Sequence, residues 1–211
     1  MKMNEKQIAI LEACEKLFAT KGFEASSVRE IAGAAGVNIA MISYYFGSKE
    51  HLMEALFKHR MEASRLRVEN IIRDAQLRPF EKVETLIRDY VTKVVNNQNF
   101  YKIMLSEQVL RQNPVIIRLI KELKMGYANL TQSILQEGQK ERLFKDNIDI
   151  ILLMNTMTGT VTQLVINQDQ FFEYHNYKLT AKEKKEVLTD RLFHHLRGLF
   201  KSALGYVDNR L

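Results

Sequence analysis

Apolar residues along this chain recur every three or four positions, not every second one, which predicts helices throughout. Residues 4–20 carry Ile8, Leu11, Ala13-Cys14 and Leu17-Phe18 at that spacing, and Lys21-Gly22-Phe23 stops the segment. A short helix is predicted next, opened by Ser27. Ser27-Val28-Arg29-Glu30 is a capping box, with the hydroxyl bound to the N3 amide and Glu30 reaching back to the cap. Ile31, Ala32 and Ala35 give this helix an apolar face, and Gly36 stands where a left-handed residue closes a helix. Asn38 then caps a second short helix, from Ile39 to near Phe46. Val37, Ile42 and Phe46 fall on its core face, while Ile39, Ala40, Ser43 and Tyr44 fall opposite.

Ser48 caps a fourth helix that runs to near Ala75, with Glu50 in its first turn where the helix dipole favours an anion. Pro79 suits the first position of a helix over 79–96, with Val83, Leu86-Ile87, Tyr90-Val91 and Val94 inward. A polar turn, Asn96 to Asn99, separates it from a helix over Phe100–Leu110. Asn113-Pro114 opens a long helix to near Gln136, and Gly138 is expected to end it. Asp146-Asn147 is expected to open the next, Ile148 to near Asn167, which is apolar almost all round and so should be covered on several sides. Gln168–Leu179 is rich in aromatic and polar residues, and Thr180-x-x-Glu183 is a capping box for a last helix to near Ala203. No run reads as a strand.

Two short helices around a glycine turn form the pattern of a helix-turn-helix, whose second helix enters the DNA major groove. The residues that sharpen this are Leu17-Phe18-Ala19, Lys21-Gly22-Phe23, Val28-Arg29-Glu30-Ile31-Ala32, Ala35-Gly36-Val37, Ile42 and Tyr45-Phe46-x-Ser48-Lys49-Glu50. In order and spacing, from about Ile8 to Leu56, this stretch resembles the TetR family of bacterial transcriptional regulators. Ser27 stands where that family often has Thr and keeps the hydroxyl. The resemblance implies an all-α protein in three parts. A three-helix DNA-binding domain over 1–47 and a connecting helix over 48–75 precede a larger helical bundle over 76–211 for dimerisation and ligand binding. It further implies a regulator, by family precedent a repressor, that binds a pseudo-palindromic operator as a homodimer and responds to a small molecule.

Composition changes this picture little. The 211 residues are 46% hydrophobic and 27% charged, with 2 Pro and 9 Gly, which suits long uninterrupted helices. Net charge is +6, but residues 1–60 hold eight Lys/Arg against seven Asp/Glu, so the basic excess does not mark the DNA-binding part. The single Cys14 excludes an internal disulfide and fits a cytoplasmic chain; its place beside Leu11 and Leu17 reads as a small buried hydrophobe. No apolar run reaches the roughly 18 residues of a membrane span. His51 and His59 lack further ligands for a metal, and no cofactor motif is present. His194-His195, with Asp190 and Arg191, do not converge, because neighbours on a helix point about 100° apart. With no nucleophile motif or phosphate loop either, the sequence reads as a non-enzyme.

Candidate sites follow. Tyr45 and Lys49 match the family positions that grip phosphate. Ser27 lies at a helix N-terminus that favours an anion, and Arg29 adds a charge beside it. Base reading falls to Asn38, Ile39, Ala40, Met41 and Tyr44. Ile39 and Ala40 suit a thymine methyl, Asn38 has a competing duty as a cap, and Met41 and Tyr44 read alternatively as domain core. A pocket for a largely apolar ligand is expected from Tyr90, Phe100, Met104, Gln108, Tyr127, Asn155, Met157 and Gln163, although a Met and aromatic stripe also reads as solid core. A dimer interface is expected on the last two long helices, at Gly159, Leu188, Leu192, Leu196 and Leu199. The alternative to a regulator is a helical interaction scaffold that has lost DNA binding, which would lack the phosphate grip; Ser27, Tyr45 and Lys49 are all present.

Overall fold

The computed structural model describes residues 3–207. Among them are ten helices and no strand: α1 Glu5–Lys21, α2 Val28–Ala35, α3 Ile39–Phe46, α4 Lys49–Arg73, α5 Pro79–Asn96, α6 Gln98–Leu110, α7 Pro114–Lys140, α8 Ile150–Ile166, α9 Gln168–Tyr174 and α10 Ala181–Leu204. The all-α expectation holds, and the caps explain most boundaries. Asn4 forms a capping box with Gln7, Ser27 with Glu30, and Thr180 with Glu183. The Asn113 carboxamide oxygen accepts from the amides of Val115 and Ile116 at 3.1 and 3.2 Å, opening α7.

The helices pack as two compact units. The first comprises residues 1–64 and 99–123, the second 65–98 and 124–211. The division therefore cuts through α4 and α7 and places α6 with the helix-turn-helix. In the first unit one core joins Ile10, Leu11, Cys14 and Phe18 of α1, Ile31 and Ile42 of the short helices, and Leu52, Leu56 and Phe57 of α4. Phe100, Ile103, Ile116 and Ile120 complete it. Cys14 is fully buried there, and burial pushes its thiol up, away from reactivity. Glu15, 6% exposed, is held by Arg60 of α4 at 2.8 Å, a buried charge made tolerable by its partner.

In the second unit α5 and α10 pack along their lengths, with α8 against both. Val83, Ile87, Val91 and Val94 of α5 are buried, as are Leu188, Leu192, Phe193, Leu196 and Phe200 of α10. Lys82, 5% exposed, pairs with Glu137 of α7 at 2.8 Å. No single helix among the described residues is long and apolar enough to cross a membrane.

Two expectations are corrected. Gly138 does not end α7, which continues to Lys140. A Cβ at Gly138 would lie 2.1 Å from the Phe144 ring, so the glycine is there for close approach of an aromatic, not for a turn. α8 opens at Asp149, whose carboxylate accepts from the amides of Ile151 and Leu152 at 2.9 and 3.0 Å. Asn147, with φ of 59°, is left-handed and unsuited to the extended backbone of an N-cap. α8 is covered by α5, α9 and α10, as its composition requires, yet one face stays open, with Ile151 and Leu152 46% and 65% exposed.

Gly138→Ala should therefore drive a methyl into the Phe144 ring and destabilise the second unit by about 1–3 kcal/mol through overpacking. Urea denaturation reads this directly. An unchanged midpoint would show that the ring shifts aside without cost.

Candidate nucleic-acid interface

The reading head is built from three caps and one clamp. The Ser27 hydroxyl accepts from the Glu30 amide at 3.2 Å and donates to the Glu30 carboxylate at 2.8 Å. That carboxylate also takes the Ser27 amide at 2.9 Å and the Lys21 ammonium at 2.6 Å. These donors hold the Glu30 carboxyl well below the usual range, at about 2, with the Lys21 hydrogen bond the largest cause. Gly36 closes α2 with φ of 65°, a conformation that would strain most side chains. Asn38 then starts α3, its carboxamide oxygen accepting from the Ala40 amide at 2.9 Å.

This geometry turns α3 with Ile42 wholly inward, 1% exposed, and with Val37 and Phe46 packed against the same core. The opposite face is bare. Tyr44 is 83% exposed and Ile39 48%, and Asn38, Ala40 and Ser43 are exposed beside them. Tyr44 is thus no core residue. Met41 is half-buried, at the edge of that face. Asn38 has its oxygen committed to the cap, which removes the acceptor that a two-point grip on adenine needs.

Tyr45 is half-buried against the core, with its ring 5.1 Å from that of Tyr44. The Lys49 ammonium donates to the Phe23 carbonyl at 2.9 Å and the Ser26 carbonyl at 3.2 Å, and it lies 4.3 Å from the centre of the Phe23 ring. These contacts join the start of α4 to the loop between α1 and α2. Sequence reading placed Lys49 at the phosphate backbone and missed this second duty, because a bond to a loop carbonyl 23 or 26 residues away leaves no local pattern. The Arg60–Glu15 pair was missed for the same reason. Arg29 is exposed on the first turn of α2.

A family profile described as "Bacterial regulatory proteins, tetR family" matches residues 10–56, and one described as "Tetracyclin repressor-like, C-terminal domain" matches residues 79–193. The chain belongs to the TetR family. This TetR-family chain is a DNA-binding, ligand-responsive transcriptional regulator, as its sequence implied. It is 29% identical over 171 residues to the fatty acid metabolism regulator protein of Bacillus subtilis, spanning 79% of this chain and 87% of the relative. Its fold is similar to the fatty acid degradation regulator FadR of Bacillus halodurans, with a TM-score of 0.71 and 25% identity over 94% of this chain and 97% of that one. It is also similar to FadR of Bacillus subtilis in complex with stearoyl-CoA, with a TM-score of 0.62 and 26% identity over 88% and 97%.

The residues expected to line a ligand pocket in this TetR-family regulator fall in both units. Phe100 belongs to the first unit's core, its ring 5.0 Å from that of Phe57, and Met104 packs against the same core. Gln108 lies in that unit too and donates to the Met104 carbonyl at 3.1 Å. Tyr90, Tyr127 and Met157 lie in the second unit. Burial pushes the Tyr90 phenol up to about 12, with the Thr162 side chain hydrogen-bonded to it and Tyr127 nearby. Asn155 and Gln163 are exposed on α8, because the face of a helix that is apolar almost all round cannot be assigned from periodicity. The interface residues divide as well. Leu188, Leu192 and Leu196 are 0–2% exposed and are spent inside the chain, a correction that follows from the packing of α10 on α5 and α8. Gly159 is exposed and Leu199 half-buried.

The Glu30 carboxylate supplies a pH test of the capping box. Its folded value near 2 lies below the ordinary 4.5, so its stabilisation is fully present above pH 4.5 and is lost as pH falls toward 2. Carboxyl NMR should show Glu30 titrating near pH 2. Glu30→Gln should lower the melting temperature at pH 7, and this difference should shrink as the pH is lowered. A Glu30 midpoint in the ordinary range would dissolve the clamp.

Proposed function

We propose that the protein is a repressor that occupies a pseudo-palindromic operator as a homodimer and leaves it when an acyl-bearing small molecule binds. The observation that carries the DNA half is the bare face of α3. Ile39, Ala40, Ser43 and Tyr44 point away from a core that Val37, Ile42 and Phe46 complete. Base contact falls to this face with Asn38 and Met41. Phosphate contact falls to Tyr45, Arg29, Ser27 with the next first-turn amides at Val28 and Arg29, and the remaining N–H of Lys49. Retention of this apparatus disfavours the scaffold reading.

For the homodimer, support comes from α8, where Leu152, Asn155, Thr156, Gly159 and Gln163 form one exposed stripe at helical spacing. An exposed Leu beside small residues suits close approach of a second helix. Sedimentation showing a folded monomer at micromolar concentration would remove this assembly. The cytoplasm, where such operators lie, is the proposed site of action.

The acyl ligand is supported by the two fatty-acid regulators that this chain resembles, one of them bound to stearoyl-CoA. Tyr90, Tyr127 and Met157 offer phenols and an adaptable thioether among apolar helices, a composition suited to a chain with a polar end. Of the other expected lining residues, Phe100, Met104, Gln108, Asn155 and Gln163, none is needed for this reading.

Lys49→Ala should weaken binding to all DNA sequences alike and reduce the salt slope by roughly one unit. It should also lower the melting temperature, because the Phe23 and Ser26 carbonyls lose their donor. Tyr44→Ala should leave stability intact and change which half-site bases are tolerated. Fluorescence anisotropy over a salt series separates the two; an unchanged salt slope in Lys49→Ala would take Lys49 off the phosphate.

The coupling is tested by titrating palmitoyl-CoA calorimetrically with and without operator. A tenfold loss of operator affinity corresponds to about 1.4 kcal/mol of coupling, and operator must weaken the ligand by the same factor. Equal ligand affinity in both titrations would sink the release mechanism.

A further inference from the structure

A cleft of about 330 Å³ opens between the C-terminal half of α4 and the outer face of α5, within the second unit. None of its lining residues belongs to the reading head. Three basic side chains line it, Arg67, Arg88 and Lys93, with one acid, Asp89, and the uncharged donors Thr92 and Asn96. An ordinary solvated helix face disperses its charges. This one concentrates two net positive charges around a concavity.

The charges are also held in place. The Asp89 carboxylate, 7% exposed, takes Arg67 Nε at 2.5 Å on one oxygen and Lys93 Nζ at 2.5 Å on the other. A buried carboxylate between two cations acts as a post that orients them and offsets their mutual repulsion. Only Nε of Arg67 is committed to Asp89. Its two terminal nitrogens carry four more N–H donors, on a side chain that is 68% exposed. Arg88 is fixed differently: its guanidinium carbon sits 3.6 Å from the centre of the Phe193 ring. A guanidinium that spends its face on a ring keeps its edge N–H donors for a planar or tetrahedral oxyanion.

We propose that this cleft is a binding site for a phosphate-bearing small molecule, with Arg67 and Arg88 as the direct phosphate donors, Lys93 adding field, and Thr92 and Asn96 donating to further oxygens. Asp89 is a positioning residue that holds Arg67 and Lys93. Arginine suits this task because its fork matches two oxygens of one phosphate. The site's chemistry fits a phosphoanhydride, which spreads charge over several oxygens across a volume of this size. Such a group comes either free or as the headgroup of a thioester carrier. The proposal holds whether or not the effector is acyl.

The test is calorimetry on the full chain with three probes, inorganic pyrophosphate, CoA and palmitoyl-CoA, against wild type and Arg88→Gln. Arg88 pairs with no acid in the cleft, so its replacement leaves the Asp89 post intact. The double variant R67Q/D89N removes Arg67 without stranding a buried carboxylate. Wild type should bind pyrophosphate, and each variant should lose roughly tenfold or more, the worth of a charged hydrogen bond. CoA binding more tightly than pyrophosphate, with palmitoyl-CoA weakened by the same factor in Arg88→Gln, identifies a carrier headgroup. Pyrophosphate binding as tightly as CoA identifies a free phosphoanhydride. If no probe binds wild type, or if both variants bind all three as wild type does, the site is overturned. Should palmitoyl-CoA fail to release operator while pyrophosphate binds wild type and not Arg88→Gln, the acyl effector falls and the cleft stands.

Discussion

The ammonium of Lys49 is the point on which the reading head depends. α2 and α3 are each only eight residues long, too short to be stable alone. Their caps satisfy their ends, but a cap fixes only where a helix starts. The direction in which α2 leaves α1 is set by the loop at Phe23–Ser26, and Lys49 binds the carbonyls of its first and last residues. Because Lys49 is also the first residue of α4, one side chain joins the loop before the helix-turn-helix to the helix after it. The bare face of α3 is a consequence. With Ile42 locked inward, Ile39 and Tyr44 have nowhere in the first unit to be buried.

α4 extends this logic along the chain. At its start it carries Lys49, midway it carries Arg60 bound to Glu15 of α1, and near its end Arg67 bound to Asp89 of α5. Each pair sets a buried or nearly buried carboxylate against a partly exposed arginine. Breaking such a pair leaves an unpaired buried charge, which costs far more than the pair contributes. These polar contacts add to the hold on a helix whose Leu52, Leu56 and Phe57 are already buried in the first unit's core.

The second unit divides its apolar surface unequally. α10 spends its Leu188–Leu192–Leu196 stripe on α5 and α8, so that it is buried in the single chain. α8 leaves Ile151 and Leu152 open. The face still seeking cover is the one on α8 with Gly159 in it, and the proposed homodimer is built on that face.

The sequence by itself determined the helices, their caps and the helix-turn-helix, because those signals are local. A hydroxyl or carboxamide at an N-cap acts on amides two or three residues away, and an apolar stripe repeats within one turn. The same locality made the bare face of α3 legible, including Ile39 and Tyr44. Contacts between residues distant in sequence were decided only by the tertiary structure. The Phe144 ring over Gly138 turned an expected stop into a close-packing site. Lys49 acquired its loop carbonyls, Arg60 its Glu15 and Arg67 its Asp89. Which face of α8 and α10 is inward was settled by α5, since a helix apolar on two sides has no preferred face until a neighbour covers one. Spacing along a helix says which side chains share a face, and only packing says what that face meets.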